Sequence, residues 1–263
     1  MKKMQLLALV LTAGLIFAGC KKKVDPAANP TPTQKPRKVD KDVNKEPLEN
    51  RPFVRLSPRE DGKAVQMSLV ELKKQAADVE YEIEYSSGSL LQGAFGSIDS
   101  LSTLPIEKEI LLGSCSTGGK CTYNTNVTGG DLTLRFGAPD YTLKSEWSFT
   151  EGLLKQKTIS SRDAKFTLDI SKAKNASNYA VVHLGPGYPG TLDKTVVAGP
   201  YIVAPAAKIT GTVTASIRLP LDATDGVLMG WDGKVWKEWT STTKDKVVSA
   251  SGPMNEVFVV VSK

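Results

Sequence analysis

The chain has 263 residues, 40% of them hydrophobic and 24% charged, with a formal net charge of +6. That length accommodates two modest domains of roughly 100–150 residues each, and the ordinary apolar content excludes a wholly disordered chain. Lys2, Lys3 and an excess of Lys and Arg over Asp and Glu in residues 21–50 hold most of the positive charge, so residues 51–263 carry only +1 and offer no basic field to draw in nucleic acid.

Behind Lys2 and Lys3, an apolar stretch begins at Leu6 and closes on Ile16, Phe17, Ala18, Gly19 and Cys20. A charged start, a short apolar run and small residues before a break are the marks of an export signal. The run is too short for a hydrocarbon core that needs ~20 apolar residues. Ile16 to Cys20 resembles the lipobox of bacterial lipoproteins, with Phe17 where that family usually has Leu. The resemblance implies a signal peptide over residues 1–19 and lipid on Cys20. It also implies an extracytoplasmic protein anchored to the plasma or outer membrane. Lys21, Lys22 and Lys23 stand beside the anchor, where each adds ~1 kcal/mol of attraction to an anionic leaflet.

Residues 20–51 hold Pro26, Pro30, Pro32, Pro36 and Pro47 among charges, with almost no large apolar side chain. Such a stretch cannot bury enough surface to offset its ordering entropy, which predicts a disordered tether. From Pro52 the pattern changes. Val79, Tyr81, Ile83 and Tyr85 alternate with Glu80, Glu82 and Glu84, the period of a strand with one dry and one wet face. Further strands are predicted near 53–56, 65–70, 90–98, 106–114, 132–136 and 143–149, divided by turn signals such as Ser87-Gly88 and Gly129-Gly130. One helical turn fits Leu69 to Gln75. With Cys20 assigned to lipid, Cys115 and Cys121 flank a Gly-Gly loop and are expected to form a hairpin disulfide worth roughly 2 kcal/mol. This set predicts a first antiparallel β-sandwich over 52–160.

After a polar joint at 160–164 the alternation restarts, and a second sandwich is predicted over 165–263, with strands near 166–170, 179–184, 196–203, 209–219, 227–231, 235–239, 247–250 and 257–261. Trp231-Asp232-Gly233-Lys234-Val235-Trp236 reads as a hairpin. Val257 to Val261 reads as a central strand covered on both faces. The whole is therefore all-β. The strand, Asp-Gly, Trp, polar loop and closing valine strand from Val227 to Val261 resemble the fibronectin-type-III and immunoglobulin-like modules of bacterial surface lipoproteins. That resemblance implies fold and carries no catalytic residues.

Chemistry is sparse. Ser241-Thr242-Thr243-Lys244 has Ser-x-x-Lys spacing but lies in a polar segment rather than on a helix, and His183 sits in an apolar run without a nearby acid. Glu80, Glu82 and Glu84 form a row best explained by solvation or cross-strand pairing, and Asp222 to Gly226 reads as a turn rather than a calcium loop. No catalytic residue, cofactor or metal is expected. Trp236 and Trp239 are three positions apart and face opposite ways on a regular strand. The expectation is a core Trp236 and an exposed Trp239 available to stack on a sugar. The expected role is structural or adhesive at the cell envelope, with glycan or peptidoglycan binding as the alternative and an envelope hydrolase as the reading from another class; the partners expected are the membrane, through the lipid, and an envelope protein or glycan.

Overall fold

Alternating apolar residues give strands, and how far the alternation persists tells which strands are covered on one face and which on two. In a computed structural model that describes residues 40, 42–175 and 177–263, the chain forms β1 (Phe53–Pro58), β2 (Ala64–Glu71), β3 (Asp78–Ser87), β4 (Leu90–Ile98), β5 (Ile106–Leu111), β6 (Gly113–Cys115), β7 (Cys121–Tyr123), β8 (Val127–Gly137) and β9 (Tyr141–Glu151). After one helical turn, α1 (Leu153–Gln156), come β10 (Thr158–Ser160), β11 (Phe166–Asp169), β12 (Ala173–Asn175), β13 (Tyr179–Leu184), β14 (Val196–Pro205) and β15 (Thr210–Arg218). The chain closes with β16 (Val227–Trp231), β17 (Trp236–Glu238), β18 (Ser241–Lys244), β19 (Val247–Pro253) and β20 (Val257–Val261). The helical turn expected at 69–75 is replaced by the end of β2. Cys20, the signal segment and most of the tether lie outside the described residues.

The strands are antiparallel and build a sandwich-like, all-β arrangement. A nine-stranded sheet runs in the order β17-β16-β20-β14-β13-β9-β8-β3-β4. On one face its β3-β8-β9-β13 portion is covered by the small sheet β1-β2-β5, and Val54, Leu56, Met67, Ile83, Leu132, Trp147 and Val181 share a core there. Across its opposite face, β13, β14, β20 and β16 pack on the sheet β10-β11-β15-β19-β18, through Val182, Tyr201, Phe258, Leu228, Phe166 and Ile217. The strands in the middle are therefore dry on both sides: every residue of β20 is buried, as are Ala180 to His183 of β13. At the far end, β3 has water on one face, which is why Glu80, Glu82 and Glu84 alternate with Val79, Tyr81 and Ile83.

The polar joint read at 160–164 is the turn of the β10–β11 hairpin, in which Ser160 pairs with Thr167. The two halves keep separate cores, yet β13 pairs with β9 of the first half and β14 of the second, so one sheet runs through both. The fold also starts earlier than the expected end of the tether at residue 51. Arg135 donates to both oxygens of Asp40 at 2.5 and 2.8 Å and to Glu82 at 2.9 Å. Asn44 donates its backbone N–H to the Thr142 carbonyl, while its side chain meets the Lys144 N–H and carbonyl as a neighbouring strand would.

Trp236 and Trp239 do face opposite ways, but their roles are exchanged. Trp239 is only 6% exposed and meets the Phe258 ring edge-on at 5.5 Å, whereas Trp236 is half-buried. Backbone hydrogen bonding explains the exchange: β17 ends at Glu238, and the Trp239 N–H then donates to the Leu228 carbonyl at 2.9 Å, turning its indole beneath β16. Two glycines make the space. A Cβ at Gly252 would lie 2.9 Å from the indole, and one at Gly230 would lie 3.1 Å from its Nε1. Trp239→Ala is therefore expected to cost ~3–5 kcal/mol, and Trp236→Ala less, in urea unfolding followed by far-UV circular dichroism.

Candidate functional site

On the side away from Trp239, Trp231 and Gly233 of the β16–β17 hairpin line a groove. Trp231 and Trp236 are directly opposite in the hairpin register, so their rings share one side, with centroids 5.5 Å apart. Tyr188 stands edge-on to Trp236 at 6.1 Å, and Lys73 lies 3.8 Å from the Tyr188 ring centroid. Burial pushes the Tyr188 hydroxyl pKa up and the Lys73 ammonium pKa down. The Trp236 indole N–H donates to the Pro189 carbonyl at 2.9 Å, fixing the ring. Asp232 holds the hairpin turn: the Lys237 ammonium, then the Val235 and Lys234 N–H groups, hold its carboxyl down at about 2.

Opposite these aromatics, β1 and β2 supply the polar wall. The groove has a volume of about 440 Å³, with Trp231, Phe53 and Val70 as its apolar part and Arg55, Ser68, Glu71, Glu107 and Glu256 as its polar part. Arg55 and Ser68 are cross-strand partners in the β1–β2 register. Arg55 Nη1 donates to Glu256 at 2.9 Å, and this ion pair also borders a second cavity of about 420 Å³ beneath Val203 to Ala206. Glu71 accepts from the Gly190 N–H at 2.9 Å. Two polar atoms remain unsatisfied: Arg55 Nε and Ser68 Oγ are buried without a hydrogen-bond partner, and Ser68 is only 1% exposed. An orphaned buried donor costs about 1–3 kcal/mol, and both atoms lie beneath the groove surface rather than on it.

The residues singled out from sequence are dispersed. Cys115 and Cys121 form a disulfide, S–S 2.02 Å, at the end of the β6–β7 hairpin. Cys20 lies outside the described residues. Trp239, expected to contact glycan, is core and presents no face to solvent. Ser241 to Lys244 is strand β18, where the Ser241 hydroxyl accepts from the Leu228 N–H. Of the glutamate row, Glu82 pairs with Arg135, and no group of three or more His, Cys, Asp or Glu side chains among the described residues is arranged to hold a metal. Asp225 caps its turn: Lys263, Thr243 and the Gly226 N–H hold its carboxyl at about 2.

His183 meets Ser145 with Nε2 2.7 Å from the hydroxyl oxygen, a pairing reminiscent of a nucleophile and its base. Both side chains are buried, however, and no acid orients the ring. Nδ1 faces the Val54 backbone without a well-formed hydrogen bond, and desolvation holds the imidazole pKa at about 3. A neutral, sealed imidazole has no route to a substrate; the pair fills the core between β9 and β13. The groove's own residues were missed in sequence because Arg55 on β1, Ser68 and Glu71 on β2, and Glu256 come from three separate places in the chain. The one available signal was the parity of the hairpin, which puts Trp231 beside Trp236.

No family model matches the chain, and a search of curated proteins found no match.

The buried imidazole makes a definite pH prediction. An unfolded histidine binds its proton near pH 6.5, and His183 in the fold only near 3, so the unfolded state holds more protons between those values and stability falls with falling pH. Between about pH 6 and pH 5, above the carboxylate range, urea unfolding of the wild type is expected to lose ~1 kcal/mol per pH unit. His183→Leu is expected to flatten that slope, whatever its effect on absolute stability.

Proposed function

We propose that this protein is a lipid-anchored, non-catalytic binding protein of the bacterial envelope, and that the Trp231 groove holds a segment of uncharged glycan. The observation that carries the binding reading is the convergence of the Trp231 ring with a mixed set of donors and acceptors, Arg55 against Glu71, Glu107 and Glu256, along one groove. Sugar hydroxyls both donate and accept, and the carbon face of a pyranose is apolar, so Trp231, the carboxylates and the Arg55 guanidinium match the two aspects of one ligand. Charge supports the choice of an uncharged ligand. Three carboxylates against one guanidinium repel a polyanion.

Anchoring rests on the Leu6 to Cys20 pattern. No helix among the described residues is long and apolar enough to cross a membrane. Acylation of Cys20 supplies the attachment, with more than one chain at ~0.8 kcal/mol per buried methylene needed for stable binding. The fold then begins by Asp40, leaving a spacer shorter than the sequence pattern alone suggested.

The chain from Lys21 onward is expected to bind at least one of a panel of uncharged N-acetylglucosamine, glucose and mannose oligomers in isothermal titration calorimetry, and not sulfated dextran. Trp231→Ala is expected to weaken that binding at least tenfold. An intact fold in the variant, checked by circular dichroism, assigns the loss to the groove. Binding that is unchanged in Trp231→Ala, or absent throughout the panel, contradicts the glycan reading. Mass spectrometry of protein from membranes is expected to show a mature chain starting at Cys20 with added acyl mass. Cys20→Ala is expected to accumulate as unprocessed precursor.

A further inference from the structure

Edge strands carry unpaired N–H and C=O groups, and folded proteins usually blunt them by shortness, charge or proline. The other end of the nine-stranded sheet follows that rule: β17 has three residues, of which Lys237 and Glu238 are charged. Strand β5, which ends the small sheet, carries Glu107, Lys108 and Glu109. Strand β4 does not. It extends nine residues, Leu90-Leu91-Gln92-Gly93-Ala94-Phe95-Gly96-Ser97-Ile98, with neither a charge nor a proline, and among the described residues pairs only with β3. Of the six large apolar side chains exposed among the described residues, three belong to it: Leu90 at 62%, Leu91 at 69% and Phe95 at 87%.

The hairpin register shows which groups are free. Ser87 and Leu90 are paired around the two-residue turn Gly88-Ser89, and the pair closing such a turn is hydrogen-bonded. Counting from it, Leu90, Gln92, Ala94, Gly96 and Ile98 bond to β3, while Leu91, Gly93, Phe95 and Ser97 direct their backbone groups outward. The same four residues place their side chains on the uncovered face, Phe95 being opposite Glu82.

We propose that β4 is a homodimerisation edge: two copies of the chain pair their β4 strands antiparallel about a two-fold axis at Ala94, joining two nine-stranded sheets into one. In this register Gly93 lies opposite Phe95 of the second copy, and Leu91 opposite Ser97. The outward-facing residues thus meet one another, and about eight backbone hydrogen bonds can form. Each Phe95 ring covers the Gly93 of the other copy, the arrangement by which an aromatic side chain compensates for a glycine in a neighbouring strand. Charge permits the approach. The two β4 strands hold the glutamate rows of the two β3 strands three strand spacings apart, ~14 Å, beyond the screening length of ~8 Å at physiological salt. Pairing nine residues a side buries less than the ~1,600 Å² of a standard stable interface, so the dimer is weak and concentration-dependent.

Sedimentation velocity of the chain from Lys21 onward, which retains the whole folded unit, is expected to show monomer at low micromolar concentration and growing dimer at hundreds of micromolar. Phe95→Lys, which puts a charge on the open edge, is expected to keep the chain monomeric throughout with an unchanged melting temperature. Register is read by oxidative crosslinking. Ala94→Cys faces its own copy across the axis and is expected to crosslink at least tenfold faster than Ser97→Cys, whose counterpart lies several residues away. A wild-type chain that stays monomeric at hundreds of micromolar overturns the proposal, whether or not the edge accepts a strand from another protein. So does a dimer that Phe95→Lys leaves intact, or equal crosslinking of the two cysteine variants.

Discussion

Burial of β13, β14 and β20 on both faces is the constraint on which the rest of the structure depends. β13 contributes alternate side chains to the two large cores, Val181 under the small sheet and Ala180 and Val182 on the other, while β14 and β20 divide theirs between the second core and the small cluster around Phe53. These strands have no water-exposed face of their own to tolerate polar side chains. His183 is tolerated there because its ring stays neutral and meets Ser145; a charged ring has no counter-ion within that core.

The same constraint places the groove. Phe53, Ile202 and Val257 form a small third cluster where β1 crosses the end of the large sheet, and Trp231, Trp236 and Val70 pack against it. The polar wall from β1 and β2 and the aromatic wall from the β16–β17 hairpin come from opposite halves of the sequence and meet only because the large sheet passes through both. A groove so made is walled by strands on both sides. Its unsatisfied Arg55 and Ser68 atoms are a local cost that the packing around Phe53 and Val257 sustains.

Most strands were legible in the sequence because their periodicity reflects one-sided or two-sided burial directly: the Val79 to Tyr85 alternation and the unbroken Val257 to Val261 run both describe the environments found. Short strands such as β10, β12 and β18 were not, since three or four residues cannot establish a period and tertiary pairing with β11, β15 and β19 defines them. Sequence pattern also suggested two self-contained sandwiches, because the polar turn at 161–165 looks like a linker when the pairing of β13 with β9 is unknown. The tryptophan parity was legible, but the direction was not: the glycines at 230 and 252 that admit the Trp239 indole act across strands. Of the candidate site, only the Trp231–Trp236 hairpin could be read locally; Arg55, Ser68 and Glu256 are brought to it by the fold.

If the shared strands bind the two cores into one unit, neither core can melt while the other persists, even though each half resembles a separate module in its sequence. Differential scanning calorimetry of the chain tests this most directly. The account predicts a single transition whose calorimetric and van't Hoff enthalpies agree. Two resolved transitions, or one whose calorimetric enthalpy is about twice the van't Hoff value, would contradict it.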